Sequence, residues 1–415
     1  MTALPASIES VVIGAGHAGL IMSRLLRQAG REHVVLDRRA TLGGGWQDRW
    51  DAFQLVTPNF LTDLPDFPYD AGDRDGFMTR DEIVGRTAAY AGVIDAPVEL
   101  ETDVTRLSTD DAGGRRFRVE TPRGTVLADQ VVIATGAFQR PRIPPEARFG
   151  PGITQLHAHD YRNPAALPDG GVLVIGTGQT GVQLAEELHD AGRRVTLSVG
   201  HCGRAQRRYR GKDYFWWVRR LVEDGGRVGV SLPDVESLPD PRARFACNPH
   251  LSGHGGGHDT NLRQFALDGI RLVGRFQGGE GTHARFGEDL NDNLRFADTF
   301  FDDRFRPLFE RFAAAAGLDL PADDRTQVDH DVPEVTELDL ASEGISTVLF
   351  TTGYAPDYGW LDIPVIGPFG APNHRRGVTN VPGLECIGLL WQRNNASANL
   401  AGVGSDAEYL ASRWT

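Results

Sequence analysis

Two glycine triplets carry the chemistry most directly readable from this sequence. Gly14, Gly16 and Gly19 stand at G-x-G-x-x-G spacing after the apolar run Val11-Val12-Ile13. Gly176, Gly178 and Gly181 repeat that spacing after Val172-Leu173-Val174-Ile175. A buried strand that turns on such glycines into a helix leaves backbone N–H groups at the helix N-terminus free to hold a pyrophosphate. One copy alone would also fit a glycine-rich turn in any α/β protein; two copies make dinucleotide binding far more specific. The copies differ at the end of the next strand. The first ends Val34-Val35-Leu36-Asp37, placing a carboxylate about 20 residues on, where ribose hydroxyls are read. The same offset in the second copy falls on Val199, followed by His201, Arg204, Arg207, Arg208 and Arg210. A basic cluster without an acid suits a 2′-phosphorylated ribose, so the first copy is expected to take a dinucleotide with free ribose hydroxyls and the second NADPH.

The elements that position these residues follow from periodicity and punctuation. Helices are predicted over 20–28 and 182–190, stopped by Gly30 and Gly192. A third spans 79–92, with Thr79 as N-cap and Glu82 closing a capping box. Strands are expected at 98–107, 117–121, 126–127 and 130–136, with a turn at Gly113-Gly114. Tyr214-Phe215-Trp216-Trp217 with Leu221 reads as an aromatic helix face. Leu290, Leu294, Ala297, Phe301, Phe305 and Phe312 read as one long helix. The stretch 348–354 is expected to return to the first sheet, followed by a strand at 383–389 and a closing helix at 404–414. The fold class is thus α/β, with two Rossmann-like dinucleotide-binding domains, one inserted in the other. Expected boundaries are 1–150 for the first part of the outer domain, 165–330 for the inserted domain with its helical insertion, and 331–415 for the outer domain's second part.

Bulk properties exclude several classes. The chain has 415 residues, 40% of them hydrophobic, and a formal charge of −13. Such a charge disfavours nucleic acid and anionic membranes as partners. No stretch approaches the roughly 20 apolar residues of a membrane span, and no leader precedes the first strand, so a cytoplasmic location is expected. Cys202, Cys247 and Cys386 lie far apart without C-x-x-C, from which neither a disulfide framework nor a local redox pair is expected. His250, His254 and His258 lack an aligning helix and cysteine partners, so no metal site is assigned.

Taken together, Gly14–Gly19 with Asp37, Gly44–Trp46, Ala134–Gly136, Gly176–Gly181 and Thr352-Gly353-Tyr354 resemble the single-component, FAD- and NADPH-dependent flavoprotein monooxygenases. Within them the chain is similar to the flavin-containing monooxygenases, and stretches such as 75–81 and 207–213 resemble a bacterial subgroup of flavin-dependent oxidoreductases. The linker fingerprint F-x-G-x-x-x-H-x-x-x-Y/W is met only by His157 and Tyr161; Pro151 and Ile153 stand where Phe and Gly belong. The resemblance implies FAD on the first domain and NADPH on the second. It implies insertion of one oxygen atom from O2 into a small molecule, at nitrogen, sulfur or a carbonyl, through a flavin oxygenated at C4a. Alternatives in the same fold are a flavin reductase or oxidase without substrate oxygenation, and a non-catalytic nucleotide sensor. Carried over, the FAD contacts are Gly14, Gly16, Gly19, Asp37, Gly44, Gly45, Trp46, Gln47, Val104, Ala134, Thr135, Gly136, Gly353 and Gly388. The NADPH contacts are Gly176, Gly178, Gln179, Thr180, Gly181, Arg204, Arg207 and Arg208. Thr57 and Asn59, with Trp46, would face the oxygen reaction; Trp391, Gln392, Asn394 and Asn395 would line the substrate pocket. The oligomeric state, a homodimer included, stays open.

Overall fold

The structure, a computed structural model, describes residues 3–110, 115–323, 325 and 328–414. The turn expected at Gly113-Gly114 lies outside the described residues. Two sheets, a mixed one and an all-parallel one, each with one glycine triplet after a central strand, form the framework. The first unit begins with β1 (Ser7–Ile13), α1 (His17–Gln28) and β2 (His33–Leu36). It continues through α2 (Arg80–Val93), β3 (Val98–Glu99), β4 (Arg106–Thr109), β5 (Phe117–Thr121) and β6 (Gly124–Ile133). The segment 98–107 is therefore two short strands parted by a loop in which Glu101 has φ of 51°. The expected strands at 126–127 and 130–136 are one continuous β6. The capping box on α2 forms, with the Thr79 backbone N–H donating to Glu82 at 2.7 Å.

The inserted unit holds β7 (Thr154–His157), β8 (Gly171–Ile175), α3 (Gln179–Asp190) and β9 (Val195–Ser198). After it come α4 (Tyr214–Val228), α5 (Leu262–Leu267), β10 (Arg271–Val273), α6 (Leu290–Arg304), α7 (Arg306–Ala315) and β11 (Ile345–Phe350). Among the described residues this sheet runs β10-β9-β8-β11-β7, every neighbouring pair parallel. Its central strand β8 is apolar and buried along its whole length because both faces are covered, whereas the edge strand β7 begins with exposed Thr154 and Gln155.

The chain returns to the first sheet through β12 (Leu361–Asp362), β13 (Leu384–Cys386) and α8 (Leu400–Ala411). β12 pairs with β4 and β13 with β6, completing the order β12-β4-β5-β6-β1-β2-β3 with β13 beside β6. β11 lies between β8 and β7, so residues 345–350 belong to the second sheet and not, as expected of 348–354, to the first; Glu337–Asp339 pairs with His283–Phe286 in a separate small sheet. The Phe-Thr-Thr-Gly of 350–353 echoes Ile-Ala-Thr-Gly of 133–136 because each ends the strand beside a glycine turn, one per sheet.

The helix expected from 290 to 312 breaks at Phe305, where Pro307 at the start of α7 has no N–H to continue the ladder. Its aromatic face packs on α4: the rings of Trp217 and Phe309 stack with centroids 5.1 Å apart, and both side chains are fully buried. The aromatic run of 214–217 is thus mainly the core of the helical insertion. No helix among the described residues is long and apolar enough to cross a membrane.

Candidate functional site

The first cradle is built by three close approaches. Gly14 turns at φ of 108°, and a Cβ there would meet the Ala134 carbonyl oxygen at 2.6 Å. A Cβ on Gly19 would fall 1.9 Å from the Gly14 carbonyl oxygen, so only glycine lets α1 pack this near the strand. Gly16 caps α1 without a side-chain hydrogen bond, and no acid occupies the first turn. The helix N-terminus therefore keeps its unsatisfied N–H groups for an anion. Asp37, 9% exposed, accepts from the Ala15 N–H at 2.7 Å and from the Arg39 N–H at 2.9 Å. Each carboxylate oxygen retains a further lone pair, so the acid that fixes the turn still has acceptors for a ribose.

The loop 43–45 lies against this cradle: a Cβ on Gly44 would meet the Gly16 Cα at 3.0 Å. Behind it, Trp46 contacts the rings of His17 and Phe53, with centroids 6.5 and 6.0 Å away. Trp50, by contrast, is core, 3% exposed and edge-on to Phe53. The Gln47 side-chain amide turns back to donate to the Thr41 carbonyl at 3.0 Å. Gly388, at φ of 75°, packs against Ala18. Val104 is buried in the core of the first sheet. The Gln139 side-chain amide donates to Thr135 Oγ1 at 2.9 Å and to the Gly136 carbonyl at 3.1 Å, which fixes the end of β6.

The second cradle repeats the geometry. Gly176 turns at φ of 106°, and a Cβ on Gly181 would meet the Gly176 carbonyl oxygen at 2.0 Å. Thr351 takes the part of Ala134, its hydroxyl donating to Ile175 and Gly176 carbonyls at 2.9 and 2.8 Å. Gly178 caps α3, again without a side-chain bond or a first-turn acid. Val199 is fully buried where Asp37 stood. The turn is tied instead by Thr177, whose hydroxyl accepts from the Gly200 N–H at 2.9 Å. The Gln179 side chain is committed to the Leu251 backbone, accepting from its N–H at 3.1 Å and donating to its carbonyl.

The basic cluster requires correction. Arg207 is 2% exposed, pairs with Asp213 at 2.9 Å and donates to the Val56 carbonyl at 2.9 and 3.0 Å. Its guanidinium also lies 4.5 Å over the Phe77 ring. Arg204 is 7% exposed and pairs with Asp298 at 3.2 Å. Burial and internal carboxylates take both away from a nucleotide phosphate. Arg208 and His201 are exposed, the latter stacked on Phe296 at 3.6 Å.

Other expectations shift as well. Asn59, 3% exposed, caps a turn by donating to Tyr69 Oη at 3.0 Å and the Asp73 carbonyl at 2.8 Å, while its Oδ1 is buried without a partner. Thr57 is half-buried in the strap held by Arg207. Gln392 is 1% exposed and abuts Gly377, so it packs inside the first unit and does not line an open pocket. Asn394 closes a local turn onto the Ala396 N–H at 3.0 Å; Trp391 (φ of 53°) and Asn395 are half-buried in the same loop. The three histidines diverge. His250 is fully buried against the Thr177 carbonyl and pushed by burial down to about 4. His258 pairs with Glu186 at 2.6 Å, which raises its pKa, and His254 opens a short turn. Cys202 and Cys247 form a disulfide across 45 residues, correcting the expectation that none would form. Cys386 is free, fully buried, and its thiol pKa is pushed up.

Two residues escaped the sequence reading. His17, the variable residue inside the first triplet, has its Nε2 buried without a partner, and burial pushes its pKa down to about 4. A neutral imidazole at the first position of α1 has a buried nitrogen that a nucleotide in the cradle could hydrogen-bond. Arg49 lies over Trp46, Phe53 and Phe138 at 6.0, 5.8 and 5.6 Å, walling the junction of the two units. Its only sequence signal is its place between two tryptophans.

The half-met linker fingerprint has a structural meaning. The His157 Nε2 lies 3.0 Å from the Gly353 carbonyl oxygen, and its ring sits edge-on to Tyr354 at 5.1 Å. The Tyr161 hydroxyl donates to Glu187 on α3 at 3.1 Å, and the Trp50 side chain also hydrogen-bonds that carboxyl. Burial pushes Glu187 up to about 7, at a seam where Trp50 of the first unit meets α3 of the second.

Residues 11–224 match the family model described as pyridine nucleotide-disulphide oxidoreductase. The chain belongs to that family. The oxidoreductase CzcO-like protein of Geobacillus kaustophilus (strain HTA426) is 32% identical over 97% of both chains. The flavin-containing monooxygenase FMO GS-OX-like 7 of Arabidopsis thaliana is 25% identical over 45% of this chain and 48% of that protein. A flavin-containing monooxygenase from Stenotrophomonas maltophilia shares the fold, with a TM-score of 0.66 at 21% identity over 99% of this chain and 98% of that one. The chain is an oxidoreductase whose two cradles suit FAD and NADPH.

Proposed function

We propose that this chain is an FAD- and NADPH-dependent monooxygenase that transfers one oxygen atom from O2 to a small molecule at nitrogen, sulfur or a carbonyl. The observation that carries this reading is the pair of open helix N-termini, each following a strand of its own sheet, with no dithiol among the described residues beside the first. When bound, FAD would supply the redox chemistry: uptake of two electrons from NADPH and activation of O2. The protein's part is binding, orientation and exclusion of water. Gly14, Gly16, Gly19 and Gly44 give a pyrophosphate close backbone approach. Asp37 accepts from ribose hydroxyls, and neutral His17 offers one hydrogen-bond position without adding charge. Gly176, Gly178 and Gly181 do the same for NADPH, with His201 and Arg208 the exposed basic residues for its 2′-phosphate. Trp46, Phe53, Phe138 and Arg49 wall the junction where the two nucleotides would meet, shielding reactive oxygen from water. Thr57, half-buried four residues after Phe53, is the hydroxyl assigned to the oxygen reaction.

The test is incorporation of label from 18O2 into product during NADPH consumption by FAD-loaded protein. Label in product supports the reading. Stoichiometric release of hydrogen peroxide with every amine, thioether and ketone tried would sink it in favour of an oxidase.

A further inference from the structure

The Cys202–Cys247 disulfide sits on the second cradle. Gly178 occupies the position of Gly16, the glycine whose missing side chain leaves room for a pyrophosphate. A Cβ at Gly178 would lie 4.0 Å from the Cys247 Cβ, in ordinary contact. The equivalent neighbour of Gly16 is the Cα of Gly44, also at 4.0 Å but carrying no side chain. The first cradle is thus faced by bare backbone and the second by a side chain.

Apart from the disulfide, the segment bearing Cys247 meets the rest of the fold through the Phe245 ring, edge-on to Phe369 at 5.3 Å. Its backbone bonds are local, Ala243 to Asp240 at 2.9 Å and Ala246 to Ala243 at 3.1 Å. At one end Val235 bonds the Arg393 carbonyl at 2.7 Å; at the other His250 bonds Gly203 at 2.9 Å. Between those anchors the disulfide joins the segment to the loop after β9. Cys247 is exposed, whereas Cys202 is 3% exposed.

We propose that this disulfide is a thiol-exchangeable latch that holds residues 241–249 over the pyrophosphate position of the second cradle, so that its reduction opens the site to NADPH. The proposal rests on the reading of that cradle as the NADPH site. Exchange starts at the exposed sulfur. The thiolate of a low-molecular-weight thiol attacks Cys247 Sγ, the Cys202–Cys247 bond breaks, and Cys202 leaves as a thiolate that takes a proton from water. A second thiol attacks the mixed disulfide at the external sulfur. It releases Cys247 as a thiol and leaves the two external thiols oxidised to their own disulfide.

The experiment measures NADP+ binding to FAD-loaded protein by titration calorimetry, after dithiothreitol or after oxidised glutathione, alongside Cys247→Ser and Cys202→Ala. Thiol counts by mass spectrometry after alkylation verify each state. The expected result is binding about tenfold weaker in the oxidised protein, with both variants matching the reduced form under either treatment. Equal or tighter binding by the oxidised protein, or three free thiols after oxidation, overturns the latch. Absence of NADP+ binding in the reduced protein and both variants would overturn the assignment of the cradle itself, and the latch with it.

Discussion

The two cradles are one piece of local structure used twice, and their difference separates framework from recognition. In both, a glycine at positive φ ends a buried strand, and a second lets the helix close to about 2 Å of where a Cβ would collide with a carbonyl oxygen. In the first, Asp37 both ties the turn and keeps acceptors for a ribose. In the second, the tie passes to the Thr177 hydroxyl and the acid's place is filled by buried Val199. A carboxylate there would repel a 2′-phosphate; a hydroxyl on the opposite side of the turn holds the backbone without that charge. Each turn has one such hydrogen-bonded clamp, and under the proposed function its chemical identity is what would tell the two dinucleotides apart.

The comparison is most sharply broken by crossing the glycines. Gly19→Ala forces a methyl into the Gly14 carbonyl, and overpacking of this kind costs about 1–3 kcal/mol or more. The protein should purify colourless, whereas Gly181→Ala should stay yellow and lose NADPH-driven bleaching, both read from absorbance near the flavin band. Next, Asp37→Ala removes two hydrogen bonds to a charged acceptor, each contributing about 1.5–3 kcal/mol. FAD affinity should fall about a hundredfold by fluorescence titration, with NADP+ affinity little changed; the reverse pattern would exchange the two assignments.

Thr177→Val is expected to act in the opposite sense and more weakly. Losing one neutral hydrogen bond costs about 1 kcal/mol, so the KM for NADPH should rise about fivefold with FAD content intact. The smallest effect concerns the seam. Glu187, raised from 4.5 to about 7 in the fold, is held best when protonated. Its contribution is fully present below pH 4.5 and is lost as pH rises through 7. The carboxyl is partly exposed, so the loss is at most about 1–2 kcal/mol after screening. Glu187→Gln, which keeps a neutral partner for Tyr161, should raise Tm at pH 8 and leave it unchanged near pH 4.5, measured by calorimetry.

The framework was legible in sequence because strand, glycine turn and helix are adjacent along the chain. Apolar runs, triplet spacing and the Thr79–Glu82 box all act over fewer than two helical turns. What was misread depends on contacts made across the fold. Arg204 and Arg207 read as a phosphate site because nothing local marks Asp298 or the Val56 carbonyl as their partners. The pairing of Cys202 with Cys247 joins loops brought together only by the second sheet. The Thr-Thr-Gly of 351–353 was assigned to the first sheet because its pattern matches 134–136; only the strand order shows that each sheet has its own copy. His17 was hidden because the glycines around it drew the reading, although its position within the triplet was in plain view.

The chain enters the inserted unit through β7 and leaves it through β11, and these strands lie side by side, with His157 holding the Gly353 carbonyl at 3.0 Å. Arg140-Pro141 pairs with Tyr354-Ala355 just outside them. Both passages therefore occupy one edge, like the two leaves of a single hinge. Away from that edge the units are tied again, by Arg207 on the Val56 carbonyl and by the Val235 N–H on the Arg393 carbonyl, so the inserted unit is held at separated places and not by its two chain passages alone.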